Sequence, residues 1–180
     1  MKNKLILMCG LAPVTKRRYE DVLVRTYDDV GIVSVEETRM ALSYNNDDYW
    51  MHEKEVYNKC FIHAKKALNI HKMIIFDDEF LSTSEREFFF TNVAAAISEE
   101  TEIYIIWIEP NIQTILNENS LKHPKAQQTI ETIETKMSHR VSPLESEPYN
   151  HIIFINEEEK LGIKNTEGQL KPIEQILAEL

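Results

Sequence analysis

Residues 5–17 read Leu-Ile-Leu-Met-Cys-Gly-Leu-Ala-Pro-Val-Thr-Lys-Arg, and this stretch decides the fold. Its first five residues form a short continuous apolar run, which is typical of a strand buried on both faces of a parallel sheet. Gly10 ends the run, and apolar residues near helical spacing predict a helix over residues 16–28. The stretch therefore predicts a strand, a loop and a helix in direct succession.

The rest of the chain repeats this alternation of strand and helix. Capping boxes, in which a serine and a glutamate three residues later satisfy each other's amides, predict helix starts at Ser34 and Ser82. We expect further strands at residues 30–33, 72–77, 102–108 and 151–155 and further helices at residues 47–69, 82–97, 124–137 and 172–180. The pattern favours an α/β fold with a sheet of about five parallel strands and helices on both faces.

Length and composition narrow the class of protein. A chain of 180 residues without repeats or linkers suits a single domain over residues 1–180. No apolar run reaches the length of a bilayer span and no signal peptide is recognisable, so we expect a cytoplasmic protein without membrane contact, in which Cys9 and Cys60 stay reduced. The net charge of −10 repels nucleic acid, so nucleic-acid binding would need a local basic patch.

Residues 10–17 carry part of a phosphate-binding motif. The loop motif called the P-loop reads G-x-x-x-x-G-K-[ST] between a strand and a helix, and Gly10 and Lys16 are in register with it. Thr15 replaces the second glycine, which normally lets the loop turn its amides toward a phosphate. Arg17 replaces the hydroxyl that holds Mg²⁺. Taken alone, the segment also fits an ordinary strand-to-helix turn with a basic helix start.

Three further groups follow the predicted strands, at the edge of the sheet where ligands of α/β proteins bind. Glu36 and Arg39 share one helix face, where they suit a base and a phosphate-binding cation or a plain surface ion pair. Asp77 suits a Mg²⁺ ligand or a polar turn. Lys122 lies in a polar stretch that suits a lid over phosphates or a solvated loop.

Taken in order, these segments resemble the polynucleotide-kinase-like branch of the P-loop kinases, close to the zeta-toxin-like group, from residue 5 to about residue 155. The matching stretches are Gly10 to Arg17, Glu36-Glu37-Thr38-Arg39, Ile74-Ile75-Phe76-Asp77, Ser82 to Arg86, Glu118-Asn119-Ser120-Leu121-Lys122 and Pro143-Leu144-Glu145-Ser146-Glu147-Pro148-Tyr149. The resemblance implies a three-layer P-loop NTPase fold and a lid-like helical region over about residues 110–140. It also implies ATP or another nucleotide, with Mg²⁺, as cofactors.

Roles for single residues follow from the same resemblance. Nucleotide contacts would come from the loop and the lid, at Gly10, Thr15, Lys16, Arg17 and Lys122. Lys16 would also act in catalysis, with Glu36 as the base for the acceptor hydroxyl and Arg39 as the ligand of the acceptor phosphate. Asp77 would hold Mg²⁺.

The departures from the family pattern bear on whether the protein is an active kinase. Glu118 stands where the lid of the family has its first arginine, and Lys122 keeps the charge of the second arginine without its fork. Loss of a cationic finger can cost roughly 10³–10⁵ in rate. The sequence therefore favours a pseudoenzyme that binds a nucleotide, a phosphorylated ligand or another protein, with weak or absent phosphoryl transfer. The alternative is an active ATP-dependent kinase that phosphorylates a hydroxyl of a nucleic acid 5′ end, a nucleotide or a small molecule.

Overall fold

Seven strands form one sheet in the part of the chain that the computed structural model describes, residues 3–43, 49–164 and 169–180. The strands are β1 (Lys4–Cys9), β2 (Val30–Ser34), β3 (Met73–Asp77), β4 (Glu102–Glu109), β5 (His151–Asn156), β6 (Leu161–Lys164) and β7 (Lys171–Pro172). Their spatial order is β2-β3-β1-β4-β5-β6-β7, and the first five in this order are parallel. The predicted α/β fold with five parallel strands is confirmed.

β6 and β7 extend the sheet by two antiparallel strands that their sequence does not signal. They contain only four and two residues, which is too short for an alternating pattern to be recognised. β6 pairs with β5, and β7 pairs in turn with β6. These strands therefore form through pairing with the existing sheet rather than through a local preference.

The helices of the described residues flank this sheet. They are α1 (Pro13–Thr26), α2 (Val35–Leu42), α3 (Glu53–Leu68), α4 (Thr83–Val93), α5 (Ile112–Leu121), α6 (Ile130–His139) and α7 (Ile173–Ala178). Short 3₁₀ helices cover Ala94–Ala96 and Pro124–Ala126. Within the described ranges, no helix is both long and apolar enough to cross a membrane.

Three helix predictions differ from the structure at their ends. α1 begins at Pro13 rather than at residue 16, because proline loses no hydrogen bond in a first turn and its φ suits that turn. The prediction over residues 124–137 becomes a 3₁₀ helix followed by α6. The prediction over residues 47–69 is described from residue 49 onward, where the helix begins at Glu53, and positions 47 and 48 lie outside the described residues.

The sheet separates two apolar cores. Side chains of β1 alternate between them: Leu5, Leu7 and Cys9 join one core, and Ile6 and Met8 join the other. All five side chains are completely buried. Helices α3 and α4 pack on the first core, while α1 and α7 pack on the second. Burial on both faces explains why β1 reads as an uninterrupted apolar run.

A buried ion pair joins α4 to the segment before β5. Arg86 is fully buried, and its Nε and Nη2 donate to the Glu147 carboxylate at 2.6 and 2.8 Å. Its Nη1 donates to the carbonyl of Phe80 at 2.8 Å. The guanidinium also lies 5.6 Å from the ring centre of Trp107. These contacts compensate a charge that would otherwise destabilise the core, and they fix the segment before β5.

We expect Arg86→Ala to lower the free energy of unfolding by about 3–5 kcal/mol, because it leaves the Glu147 carboxylate buried without its partner. Urea denaturation followed by circular dichroism measures this loss. Lys59→Ala is the control, since it removes an exposed ion pair with Glu55 on the surface of α3 and should cost less than about 0.5 kcal/mol. Equal losses of unfolding free energy in the two variants would show that the buried pair stabilises the fold no more than the exposed pair does.

Candidate functional site

A crevice of about 190 Å³ opens at the carboxyl ends of the parallel strands. Six of the eight residues that the sequence singles out line it, namely Gly10, Lys16, Glu36, Arg39, Asp77 and Lys122. The sheet register brings three strand ends together, since Ser34 of β2 and Met8 of β1 both pair with Asp77 of β3. Thr15 and Arg17 are not among the described residues that line the crevice.

The connection between β1 and α1 is a tight turn rather than an open loop. It runs from Gly10 to Ala12, and Gly10 has a φ of 142°, which favours glycine. A Cβ at this position would lie 3.0 Å from the carbonyl oxygen of Ile108, so β4 also leaves no room for a side chain. The amide of Lys16 donates to the carbonyl of Ala12 at 2.9 Å. The segment that a P-loop wraps around a phosphate is therefore already helical here.

The carboxylate of Glu118, on α5, takes up the hydrogen-bond donors at the start of α1. It accepts from the amide of Val14 at 2.8 Å, from the amide of Thr15 at 3.1 and 3.3 Å, and from the Thr15 hydroxyl at 2.5 Å. Glu118 is only 8% exposed. The first amides of a helix have no partner inside the helix, and the helix dipole favours a negative charge beside them. Glu118 thus occupies the place where a bound anion would meet α1.

Lys16 is buried and paired within the protein. Its Nζ lies 2.6 Å from Oδ1 of Asp77 and donates to the carbonyl of Asp78 at 2.8 Å. Burial alone would lower the pKa of Lys16, but the negative charges of Asp77 and Asp78 outweigh burial and raise that pKa. Lys16 therefore stays charged, and its charge is already compensated by the end of β3.

Arg39 is the centre of a second compensated cluster. Its Nε and Nη2 donate to the Glu53 carboxylate at 2.6 and 2.8 Å, and its Nη1 donates to Glu36 at 2.9 Å. The ring centre of Trp50 lies 4.8 Å from the guanidinium, which adds a cation–π contact. Glu36 also accepts a hydrogen bond from the hydroxyl of Tyr49. The predicted base and the predicted phosphate ligand hold each other in this conformation, and both roles remain predictions.

The side chains at the two positions where a P-loop kinase would hold Mg²⁺, Arg17 and Asp77, are both paired within the protein. Arg17 is exposed and donates to Glu37 at 2.6 Å. Asp77 pairs with Lys16 through Oδ1, and its Oδ2 accepts from the hydroxyl of Ser34 at 3.2 Å. Over residues 3–43, 49–164 and 169–180, no three His, Cys, Asp or Glu side chains are grouped to hold a metal. The magnesium role of Asp77 stays a prediction.

The predicted lid region, about residues 110–140, contains α5, a 3₁₀ helix and α6. The Nζ of Lys136 lies 2.6 Å from one oxygen of Glu79, just after β3, and Gln128 donates to the other at 3.1 Å. Lys122 lines the crevice from the end of α5. Contacts within the protein thus hold this region against the crevice, and its movement as a lid is untested.

Two acids near Lys16, Glu20 and Asp78, have raised pKa values. Glu20 is 1% exposed, and its Oε1 has no hydrogen-bond partner in the described part of the chain. Burial first, and then the charge of Asp77, raises the pKa of Glu20 to about 7. Burial and the charge of Glu79 raise the pKa of Asp78 to about 6. Loss of a proton from either acid adds negative charge to the surroundings of Lys16.

Sequence reasoning missed some of the contacts that hold the predicted residues. The sequence marks Glu118 as a charge reversal in the lid, but it does not show that this carboxylate reaches Thr15 across 103 positions of the chain. Glu53 and Glu79 carry a weaker signal, because each is one acid among several near the start of a helix or the end of a strand. Glu20 has none, since an acid within a helix usually faces solvent.

Comparison with known proteins shows similarity in fold and does not assign this chain to a family. The sequence matches no protein-family model and no curated protein. A protein of Chloroflexus aurantiacus assigned as a kinase aligns over 98% of this chain and 96% of its own, with a TM-score of 0.67 and 11% identity. A structure from the PezAT toxin–antitoxin system of Streptococcus pneumoniae aligns over 99% and 77%, with a TM-score of 0.59 and 11% identity. The tunicamycin resistance protein of Deinococcus radiodurans aligns over 76% and 79%, with a TM-score of 0.53 and 13% identity.

These likenesses establish the class of fold. The chain has the three-layer α/β fold of the P-loop NTPases, and one of the proteins that share this fold is assigned as a kinase. At such low identity the likeness is one of fold, and fold alone does not define an activity. What this chain does must therefore be argued from the residues of the crevice.

We expect the free energy of unfolding to fall as the pH rises from about 4.5 to 7, the ordinary and the native pKa of Glu20. In this range the native state keeps a proton that the unfolded chain has released, so rising pH favours unfolding. Glu20→Gln should flatten the slope, while Glu87→Gln, on the exposed side of α4, should leave it as in the wild type. Urea titrations at several pH values measure the slope. Parallel curves for wild type and Glu20→Gln would contradict the raised pKa.

Proposed function

We propose that this chain is a degenerate relative of the polynucleotide-kinase-like P-loop kinases. It binds a nucleotide or another phosphorylated ligand at the start of α1, beside the crevice, and it transfers phosphoryl groups weakly or not at all. The observation that carries this proposal is the Glu118 carboxylate bound at the start of α1. We place the protein in the cytoplasm without membrane contact, leave a protein partner open, and expect nucleic acid as a ligand only through a local basic patch.

The Glu118 contact supports anion binding and limits it at the same time. Two amides and one hydroxyl converge on its carboxylate, so the start of α1 has donors arranged for anionic oxygens. A phosphate that uses these donors must first displace Glu118. Its affinity is then reduced by the free energy of the internal contact, and charge-assisted hydrogen bonds of this kind are worth roughly 1.5–3 kcal/mol each.

Weak phosphoryl transfer is expected because acids of the protein already pair with the cations of the crevice. Phosphoryl transfer depends on positive groups that neutralise charge on the transferred phosphate. Lys16 is compensated by Asp77, and Arg39 is compensated by two carboxylates. Arg17 faces Glu37. A bound phosphate would have to compete with each of these acids for its cation, which opposes the tight positioning that catalysis needs.

The alternative, an active ATP-dependent kinase, has one observation in its favour. Lys16, Glu36 and Arg39 line the same crevice, and Lys122 joins them from α5. A ligand that opened the internal ion pairs would find these groups on the walls of one site. Its acceptor would be a hydroxyl of a nucleic acid 5′ end, a nucleotide or a small molecule.

We expect Glu118→Gln to strengthen the binding of inorganic phosphate and of ATP by roughly tenfold or more, because the neutral amide no longer competes as an anion for the donors of α1. Isothermal titration calorimetry measures the affinity. Amide signals of Val14 and Thr15 in NMR spectra should shift on phosphate addition in the variant and much less in the wild type.

Glu134→Gln is the matched control, since Glu134 is an exposed acid of the same lid region. It should leave phosphate affinity unchanged, which separates the contact at α1 from a general loss of negative charge. A folded Glu118→Gln protein with phosphate affinity equal to that of the wild type would remove the basis of the proposal.

We expect γ-labelled ATP to give no more phosphoryl transfer with the wild type than with Lys16→Ala, since the cations of the crevice are compensated internally. The acceptors are a 5′-hydroxyl oligonucleotide, nucleosides and sugars, each with and without Mg²⁺. Transfer clearly above the Lys16→Ala level would establish the alternative, an active kinase. Combining Thr15→Gly, Arg17→Ser and Glu118→Arg should raise turnover if these three positions account for the weak activity.

A further inference from the structure

A second pocket, of about 240 Å³, lies between α3 and α4 beside the crevice. Its described lining combines aromatic rings with acids: Tyr57, Phe61, Asp78, Phe80, Ser84, Glu85, Phe88 and Phe89. Its volume is several times the roughly 30 Å³ that one water molecule takes in the liquid. The pocket shares Tyr57, Asp78, Phe80 and Glu85 with the crevice, so the two spaces adjoin.

Three of the aromatic rings that line this pocket contact one another. The ring centres of Phe61 and Phe88 are 5.4 Å apart at an angle of 67°, and those of Tyr57 and Phe88 are 6.2 Å apart at 78°. These angles are those of rings that pack edge to face against one another. The negative face of an aromatic ring attracts a cation, and sets of such rings are the usual protein site for alkylated ammonium groups.

Phe88 lines the pocket and is not buried in the core. α4 contains Phe88, Phe89 and Phe90 in succession, and the last two are buried at 1% and 7% exposure. Phe88 remains 52% exposed, with its ring against Tyr57 and Phe61 at the pocket wall. Its contribution to the stability of the folded chain is therefore limited, and a ligand in the pocket would cover more of it.

The charges of the pocket are negative. Asp78 accepts from the hydroxyl of Tyr57 at 2.8 Å and from the amide of Glu79 at 2.8 Å. Glu85 uses one carboxylate oxygen to cap α4 by accepting from the amide of Ser82. None of the described residues that line the pocket is a lysine, arginine or histidine. This lining repels phosphate and attracts a cation, in contrast to the donors at the start of α1.

We propose that the pocket between α3 and α4 binds a small organic cation with an alkylated ammonium group, held by the rings of Tyr57 and Phe88 and by the charges of Asp78 and Glu85. Aromatic faces favour the alkyl surface and the positive charge together, and the acids compensate that charge when it leaves water. This binding does not depend on the proposed weak phosphoryl transfer or on Glu118.

Choline and its neutral isostere 3,3-dimethylbutan-1-ol test whether binding depends on the positive charge of the ligand. The two molecules have the same shape, and the quaternary nitrogen of choline is a carbon in the alcohol. Calorimetry and NMR titration with the whole chain measure both affinities. We expect choline to shift the signals of Phe88 and Tyr57, and the neutral alcohol to bind at least roughly tenfold more weakly. Equal binding of the two probes, or shifts spread over the whole surface, would overturn the proposal.

Phe88→Ala and Glu85→Gln test the residues. A cation–π contact of about 0.5–2 kcal/mol corresponds to a loss of roughly 2- to 30-fold in choline affinity for Phe88→Ala. Glu85→Gln keeps the oxygen that caps α4 and removes the charge, so it should weaken choline and leave the alcohol unchanged. Ile62→Ala is the control, since Ile62 is an exposed apolar residue of α3 outside the described lining. Choline affinity that is unchanged in both pocket variants would rule this site out.

Discussion

A charged side chain stays buried only where an opposite charge or hydrogen-bond donors meet it, and this requirement organises the carboxyl edge of the sheet. Lys16 forms an ion pair with Asp77, which links α1 to β3. Arg39 forms an ion pair with Glu53, which links α2 to α3. The first amides of α1 donate to Glu118, which links the predicted lid region to the first helix. Each contact joins two different elements, so the edge is stabilised as a connected set.

The same contacts are the physical basis of the proposed weak phosphoryl transfer. In a P-loop kinase, the ligand supplies the negative charge for the lysine, the arginines and the helix amides. Here acids of the protein already supply it, and each of them competes with a phosphate. On the other side of Asp78, the lining has acids and aromatic rings without a lysine, arginine or histidine among its described residues. The two spaces therefore differ in charge, since the described lining of the crevice includes lysines and an arginine beside its acids and that of the pocket includes acids alone.

Much of the fold and part of the site follow from local patterns. The capping box at Ser82 is complete, since Ser82 accepts from the amide of Glu85 and Glu85 accepts from the amide of Ser82, whereas Ser34 only accepts from Glu37. Parallel strands place their ends at one edge, which is why predicted residues from three different strand ends line one crevice. The start of α1 is the local error, because Pro13 opens the helix earlier than the apolar spacing suggests.

The sequence by itself determined the layered α/β fold and the residues that reach the edge of its sheet, because strand burial, helix capping and chain order are properties of neighbouring residues. Only the tertiary structure decided which partners those residues contact. Whether Lys16 faces a ligand or Asp77, and whether the start of α1 is open or filled by Glu118, depends on distances between side chains from different elements. A hydrogen bond across 103 positions leaves no periodic trace in a sequence, since it is set by how the helices and strands pack.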